Sequence, residues 1–215
     1  LTNGYAAGFA KGSIYKGPGK FAIEDRPKPI IKKADDVMIK VLGVCICGTD
    51  INIFATPQKH PSRPGIIFGH EFCGQVVEVG EAVTSLKPGD KVIVDPHGPC
   101  GYCDACRAGL PEMCKNLYLD EPGLEGQANA MGVFKDGGLT SYTLVPEKFA
   151  YKIAADTPAE LMALAEPLAC CGYSLEKLNI HVGDTVCILG GGPIGQLYLA
   201  LAKASGARKI ILSEP

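Results

Sequence analysis

The sequence lacks an excess of either charge: 21 lysine and arginine residues stand against 23 aspartate and glutamate residues, for a formal net charge of −2. A nearly balanced charge gives no electrostatic reason to expect nucleic acid or an anionic membrane surface as a partner. Hydrophobic residues make up 47% of the 215 residues. That share is enough to form the core of one large or two small globular domains.

The sequence given also lacks the patterns that are typical of a signal peptide or a membrane span. Residues 1–10 have neither the basic start nor the long apolar stretch of a signal peptide, and we interpret them as an N-terminal extension. Residues 185–202 carry no charge, yet the glycines and the proline in this run indicate a phosphate-binding turn rather than a membrane span. Because the chain opens on Leu1 and stops at Pro215, directly after a predicted strand, we expect it to be a fragment of a longer protein.

Four of the ten cysteines follow the pattern C-x-x-C-x-x-C-x7-C, at Cys100, Cys103, Cys106 and Cys114. Thiolates spaced this closely on a turn-rich segment can converge on one tetrahedral ion, and four sulfurs are a ligand set that structural zinc prefers. Disulfides between adjacent C-x-x-C pairs would close small, strained loops. The pattern therefore predicts a structural-zinc lobe over about residues 97–116, in a protein of the reducing cytoplasm. An iron–sulfur cluster is the alternative.

The predicted secondary structure changes near residue 160, from short strands to alternating helices and strands. Short β-rich runs, separated by glycine and proline, occupy residues 11–152 and predict a small β-barrel or sandwich. A helix is predicted over residues 158–166. A strand over 185–189, a helix that ends at Gly206 and a strand over 209–213 then form one βαβ unit. The predicted organisation is an α+β domain over residues 11–160, followed by an incomplete α/β domain over residues 161–215.

A glycine-rich turn lies between the first strand and the helix of the βαβ unit. Gly190, Gly192 and Gly195 form the pattern G-x-G-x-x-G, which permits a tight turn, close approach to a pyrophosphate and close packing of helix on strand. Glu214 ends the second strand, where a carboxylate can accept both ribose hydroxyls and repel a 2′-phosphate, so NAD is favoured over NADP. The alternative is a tight turn with a strand-end acid. The predicted cofactor-binding residues are Gly190, Gly192, Pro193, Ile194, Gly195 and Glu214.

A second set of residues offers ligands for another metal ion. Cys47 lies in the segment CICGTD and His70 in GHE, while Glu71 and Glu166 supply carboxylates. A catalytic zinc needs about three protein ligands and an open position. A cysteine, a histidine and a carboxylate from separate loops can supply those ligands.

Six ordered motifs resemble those of the medium-chain zinc-dependent alcohol and polyol dehydrogenases, in particular the sorbitol, butanediol and threonine dehydrogenases. The motifs are GVCICGTD at 43–50, GHEFCGQVVEVG at 69–80, the four-cysteine lobe, GGLTSYTLVP at 137–146, AEPLAC at 165–170 and GGGPIG at 190–195. The resemblance covers about residues 11–215. It implies a GroES-like β-barrel catalytic domain, followed by the truncated start of a Rossmann doubly wound domain.

The resemblance also implies that Cys47 and His70 bind a catalytic zinc. Glu71 and Glu166 are the candidates for the remaining ligand. In the polyol branch, the carboxylate that corresponds to Glu166 takes the place that a cysteine holds in liver-type alcohol dehydrogenases.

Two further roles follow from the same resemblance, and one residue departs from the family pattern. Thr49 would take the proton of the substrate. Asp50 would not bind the metal itself but would orient His70, as ligating histidines require. Asn52 is a departure, because many relatives have histidine there as the outer end of a proton relay. The sequence therefore does not specify the path by which the proton leaves the site.

The implied function is a zinc-containing oxidoreductase that transfers hydride from a secondary alcohol, a polyol or sugar alcohol, to NAD. Two zinc ions per chain are expected, one catalytic and one structural, with a small-molecule alcohol as partner and a homo-oligomer at full length. One alternative is a threonine, amino-alcohol or other alcohol dehydrogenase of the same fold. The other is a non-catalytic, zinc-stabilised module in which only the cysteine lobe matters.

Overall fold

A hairpin opens the part of the chain that the structure describes. In this computed structural model, which describes residues 8–115 and 129–215, strand β1 spans Phe9–Gly17 and strand β2 spans Lys20–Pro27. The two strands pair antiparallel. Residues 1–7 of the predicted N-terminal extension and Asn116 of the predicted zinc lobe lie outside the described residues.

The main sheet has five strands, and each neighbouring pair is antiparallel. The strands are β3 (Asp36–Cys45), β4 (Glu71–Val79), β5 (Lys91–Val94), β6 (Tyr142–Pro146) and β7 (Ala150–Lys152). Their order is β6-β3-β4-β5-β7, so the two longest strands, β3 and β4, are neighbours inside the sheet. Branched side chains from these strands, among them Val37, Ile39, Val76, Val92 and Val145, form the largest buried core.

Five α-helices lie in the described residues. They are α1 (Gly48–Phe54), α2 (Asp104–Arg107), α3 (Ala159–Met162), α4 (Ala165–Leu178) and α5 (Pro193–Ala204). The single helix predicted over 158–166 is wrong, because α3 ends at Met162 and α4 begins at Ala165 and continues to Leu178. Pro167 does not stop the helix, since the first turn of α4 requires no N–H from that residue.

The second half of the chain contains the predicted βαβ unit. Strand β8 (Thr185–Leu189) and strand β9 (Lys209–Ser213) pair parallel, with α5 between them in sequence. The chain forms two compact units, Leu1–Ala163 and Leu164–Pro215. The predicted order, an antiparallel β domain and then the start of a doubly wound domain, is confirmed. No helix among the described residues has both the length and the apolar character that crossing a membrane requires.

The core of the first unit can be tested with two isoleucines. Ile39 is 0% exposed in the main sheet and Ile23 is 70% exposed on the hairpin. We expect Ile39→Ala to lower the free energy of unfolding by about 2–5 kcal/mol, because it leaves a cavity. Ile23→Ala should change it by less than about 0.5 kcal/mol. Urea unfolding followed by circular dichroism measures both, and equal losses would contradict this description of the core.

Candidate functional site

Antiparallel pairing brings two distant segments together. Strand β3 ends at Cys45 and β4 begins at Glu71, and these two residues are register partners. Cys47 follows the end of β3 and His70 precedes the start of β4, so the register places both at the same edge of the sheet. The sulfur of Cys47, a ring nitrogen of His70 and a carboxylate oxygen of Glu71 all lie within 4.8 Å of one another.

This cluster of Cys47, His70 and Glu71 is shielded from water. His70 is 7% exposed and Glu71 is 6% exposed, while Cys47 is half-buried. A carboxylate taken out of water needs a charged or hydrogen-bonded partner. A thiolate, an imidazole and a carboxylate are ligands that zinc accepts, and three protein ligands leave its fourth position open. The donor set therefore fits a catalytic zinc.

Asp50 connects the two metal-ligand candidates. Its Oδ2 accepts a hydrogen bond of 2.9 Å from the backbone N–H of Cys47, and its Oδ1 lies 3.6 Å from Nδ1 of His70. Both Asp50 Oδ1 and His70 Nδ1 are buried, and neither has a hydrogen-bond partner among the described residues. A proton on Nδ1, facing Asp50, leaves the lone pair of the other ring nitrogen for a metal ion.

The electrostatic field at His70 favours positive charge. Burial by itself lowers the pKa of His70, but the Asp50 carboxylate and the Cys47 thiol outweigh burial and raise the pKa to about 10. The same negative surroundings would stabilise a divalent cation. Glu71 adds to this field, since burial and then the charge of Glu71 raise the pKa of the Cys45 thiol.

Glycine backbones pack against the peptide that precedes His70. A Cβ atom on Gly137 would lie 2.2 Å from the carbonyl oxygen of Gly69, and a Cβ on Gly132 would lie 2.8 Å from the backbone nitrogen of His70. The N–H of Gly138 donates a 2.7 Å hydrogen bond to that same oxygen of Gly69. Only glycine allows such close approach. No local sequence pattern marks Gly132 as part of the site, because its contact with Gly69 joins residues more than sixty positions apart.

The four predicted lobe cysteines also converge. The sulfur of Cys103 lies 3.5 Å from that of Cys106 and 3.9 Å from that of Cys114, and the sulfurs of Cys100 and Cys106 are 3.9 Å apart. Four sulfurs at about 2.3 Å from one tetrahedral ion would be about 3.8 Å apart. The spacing is too long for a disulfide bond and fits a single tetrahedral metal.

The shifted pKa values of the lobe cysteines favour a bound cation. Loss of hydration raises the pKa of Cys100, but the backbone N–H groups of Tyr102 and Cys103, together with neighbouring thiols, lower it to about 6. Loss of hydration and the adjacent sulfurs raise the pKa of Cys106 to about 12. Four thiolates cannot share this space without a compensating positive charge. A divalent metal would supply that charge.

The predicted cofactor turn joins β8 to α5. Gly190 has a φ of 105°, which favours glycine, and a Cβ on Gly195 would lie 1.9 Å from the carbonyl oxygen of Gly190. The turn and the helix are therefore packed too closely for a side chain. A Cβ on Gly192 would meet nothing within 4 Å, so its backbone faces open space at the start of α5, where Pro193 and Ile194 begin the helix. A pyrophosphate needs such space at a helix N-terminus.

Glu214 lies beside the same turn. It follows β9, and its carboxylate accepts a hydrogen bond from the backbone N–H of Gly191. The backbone N–H of Gly190 also donates to the carbonyl oxygen of Ser213 at 2.8 Å. The two strand ends are thus tied together, with an exposed carboxylate at the edge of the turn.

The remaining predicted residues lie on helices. Thr49 is half-buried in the first turn of α1, between Cys47 and Asp50 in sequence. Glu166 lies in the first turn of α4, in the second compact unit, and its Oε1 is 3.9 Å from the sulfur of Cys170. The roles of Thr49 and Glu166 stay predictions.

The lobe generates a prediction about metal content. We expect Cys103→Ser to remove one zinc per chain, because three sulfurs hold a structural zinc far less tightly than four. The control is Cys187→Ser, which changes an exposed cysteine outside both clusters and should leave the zinc content unchanged. Atomic absorption measures the zinc, and equal content in Cys103→Ser and the wild type would contradict the assignment.

The chain is similar in sequence to one known domain family and to two known enzymes. The Alcohol dehydrogenase GroES-like domain family matches residues 33–155. The chain is 38% identical to L-threonine 3-dehydrogenase of Caldanaerobacter subterraneus subsp. tengcongensis, over 84% of this chain and 49% of that protein. It is 35% identical to D-xylulose reductase A of Aspergillus niger, over 92% of this chain and 53% of that protein.

A solved structure of a similar protein shares the fold of this chain. A Sinorhizobium meliloti 1021 protein, assigned to the zinc-binding dehydrogenases and bound to NADP, is 38% identical, with a TM-score of 0.85 over 95% of this chain and 56% of that chain. The chain spans about half the length of the curated relatives it matches. The predicted GroES-like fold class is confirmed. The chain belongs to the medium-chain zinc-dependent alcohol dehydrogenase family.

Proposed function

We propose that the full-length protein is a zinc-dependent oxidoreductase that transfers hydride from a secondary alcohol to NAD, with a polyol or sugar alcohol as substrate. The observation that carries this proposal is the buried convergence of Cys47, His70 and Glu71. A module that used only the cysteine lobe would have no need for this second cluster. Burying a histidine and a carboxylate together costs free energy unless a ligand or metal compensates for it.

The chain's own residues have separate tasks in this reaction. Zinc held by Cys47, His70 and Glu71 would supply a Lewis acid that lowers the pKa of an alcohol, and NAD would supply the hydride acceptor. Asp50, whose Oδ1 lies 3.6 Å from Nδ1 of His70, would hold a proton on that nitrogen and orient the ring. The hydroxyl of Thr49 would accept the proton that the alcohol releases and pass its own hydroxyl proton to solvent water.

A second carboxylate competes with Glu71 for the metal. Glu166 belongs to the other compact unit, and the family resemblance makes it the alternative ligand. Glu71 has the advantage that it lies within 4.8 Å of the other two ligands in one unit. Zinc content in Glu71→Gln and Glu166→Gln variants would rank the two.

The substrate has two candidates of different chemistry. Polyols are favoured by the resemblance of Glu166-Pro167 to the polyol branch. Threonine is the second candidate, because the threonine dehydrogenase relative matches this chain at 38% identity, against 35% for the xylulose reductase. A substrate panel of sorbitol, xylitol, butane-2,3-diol and L-threonine distinguishes them. A cytoplasmic location and a homo-oligomeric assembly also stay predictions.

Two cysteines near the end of β3 provide a matched test of the catalytic centre. Cys47→Ser should lower kcat/KM for the preferred alcohol by more than about 100-fold, because it removes a proposed metal ligand. Cys45→Ser alters a half-buried thiol two positions earlier that is not in the cluster, so activity should persist. The assay follows NADH absorbance in the full-length protein. Full activity of Cys47→Ser, or the same loss in both variants, would contradict the proposal.

Cofactor choice depends on Glu214. Its carboxylate at the end of β9 would repel a 2′-phosphate, so Glu214→Ser should raise the ratio of kcat/KM for NADP over NAD by about tenfold. The control Glu176→Ser removes an exposed carboxylate on α4 and should leave that ratio unchanged. The Sinorhizobium meliloti relative is bound to NADP, which makes this test informative. Equal use of NAD and NADP by the wild type would overturn the cofactor assignment.

A further inference from the structure

A basic cavity lies in the first compact unit. The described residues leave a cavity of about 640 Å³ between the start of β3, strand β6 and the segment 129–136. Pockets that bind small molecules have volumes of about 300–1,000 Å³. The cationic side chains on its wall are Arg26, Lys32, Lys33, Lys135 and Lys148.

The carboxylates of the same cavity do not neutralise these cations. Asp36 accepts backbone N–H bonds from Lys32 and Lys33 at 3.0 and 2.8 Å, and Asp136 accepts the backbone N–H of Ile67 at 2.9 Å. Asp35 is the third carboxylate of the lining. Within residues 8–115 and 129–215, none of the five cations forms an ion pair with a carboxylate. The lining of the cavity therefore includes five cationic and three anionic side chains.

Three of the cations contact neighbouring groups of the protein. Arg26 donates a 2.9 Å hydrogen bond to the carbonyl oxygen of Gly65, and the ammonium group of Lys148 lies 4.7 Å from the ring centre of Phe149. Lys135 donates to the side-chain oxygen of Asn129. Loss of hydration, followed by the positive charges of Lys33 and Arg63, lowers the pKa of Lys135. The cavity therefore carries a positive potential that an anion would relieve.

We propose that this cavity binds a phosphorylated small molecule about the size of a sugar phosphate. A phosphate monoester carries close to two negative charges and three acceptor oxygens, which suit the lysine and arginine donors that line this cavity. The volume leaves room for more than the phosphate group alone. The wall includes Cys100 of the zinc lobe but no residue of the Cys47–His70–Glu71 cluster or of the glycine turn. The inference does not depend on the proposed alcohol substrate.

Isothermal titration calorimetry of the full-length protein with glucose 6-phosphate tests the proposal. Saturating NAD is present to occupy the glycine turn, and glucose serves as the uncharged probe. We expect saturable binding of glucose 6-phosphate and none of glucose. The double variant Lys33→Gln/Lys135→Gln should bind at least about tenfold more weakly, since it removes two charged donors. The control Lys20→Gln/Lys87→Gln removes two exposed lysines outside the cavity and should bind normally.

The possible results distinguish binding in the basic cavity from binding at the Cys47–His70–Glu71 cluster. Binding that disappears in Cys47→Ser and persists in the lysine double variant would assign the sugar phosphate to the catalytic cluster and overturn the proposal. The absence of saturable binding to the wild type, or equal binding by both double variants, would overturn it too. Thermal unfolding checks that each variant is folded, and Lys148→Gln is the substitute if the first double variant is not. Reduced binding by a folded cavity variant, with Cys47→Ser unaffected, supports it.

Discussion

The close crossing of glycine backbones at the start of β4 is the constraint on which the Cys47–His70–Glu71 cluster depends. The carbonyl oxygen of Gly69 accepts a hydrogen bond from Gly138, and Gly132 and Gly137 leave no space for a side chain next to that peptide. The peptide leads directly into His70. Rotation of the His70 backbone would break this packing, so backbone contacts keep the imidazole beside Asp50, with Nδ1 3.6 Å from Oδ1. Side-chain ligands are positioned here by a rigid backbone, which is what a preorganised metal site requires.

Three groups of the described residues could bind ligands of different chemistry. The lobe has four sulfurs and no open position, as structural zinc requires, whereas the cluster at the edge of the main sheet has three different donors and can leave a position for substrate. The glycine turn of the second unit offers open space next to Gly192 and a carboxylate at Glu214. A binding module that needed zinc only for folding would require the first of these sites alone. The presence of all three is what favours an oxidoreductase.

The sequence allowed local features to be predicted better than those that depend on distant contacts. The spacing of the lobe cysteines predicted their convergence, because all four lie within fifteen residues, and the glycine pattern between two apolar runs predicted the βαβ unit. Helix α1 was not predicted, since its seven residues are too few for a clear period. The single helix predicted over 158–166 is two helices, and the composition of that segment did not indicate the break near residue 163 or the continuation to Leu178. The contacts of Gly132 and the basic cavity join segments far apart in sequence, and no local pattern indicates them.

Anomalous diffraction at the zinc absorption edge, from crystals of the full-length protein, tests directly whether the protein binds a second zinc beside the lobe. Two peaks per chain are expected. One should lie among the four lobe sulfurs, and the other should lie between the sulfur of Cys47, at about 2.3 Å, and a nitrogen of His70, at about 2.0–2.1 Å. A peak at the lobe alone, with Cys47 and His70 making other contacts in a zinc-replete crystal, would contradict the catalytic centre and leave a zinc-stabilised module.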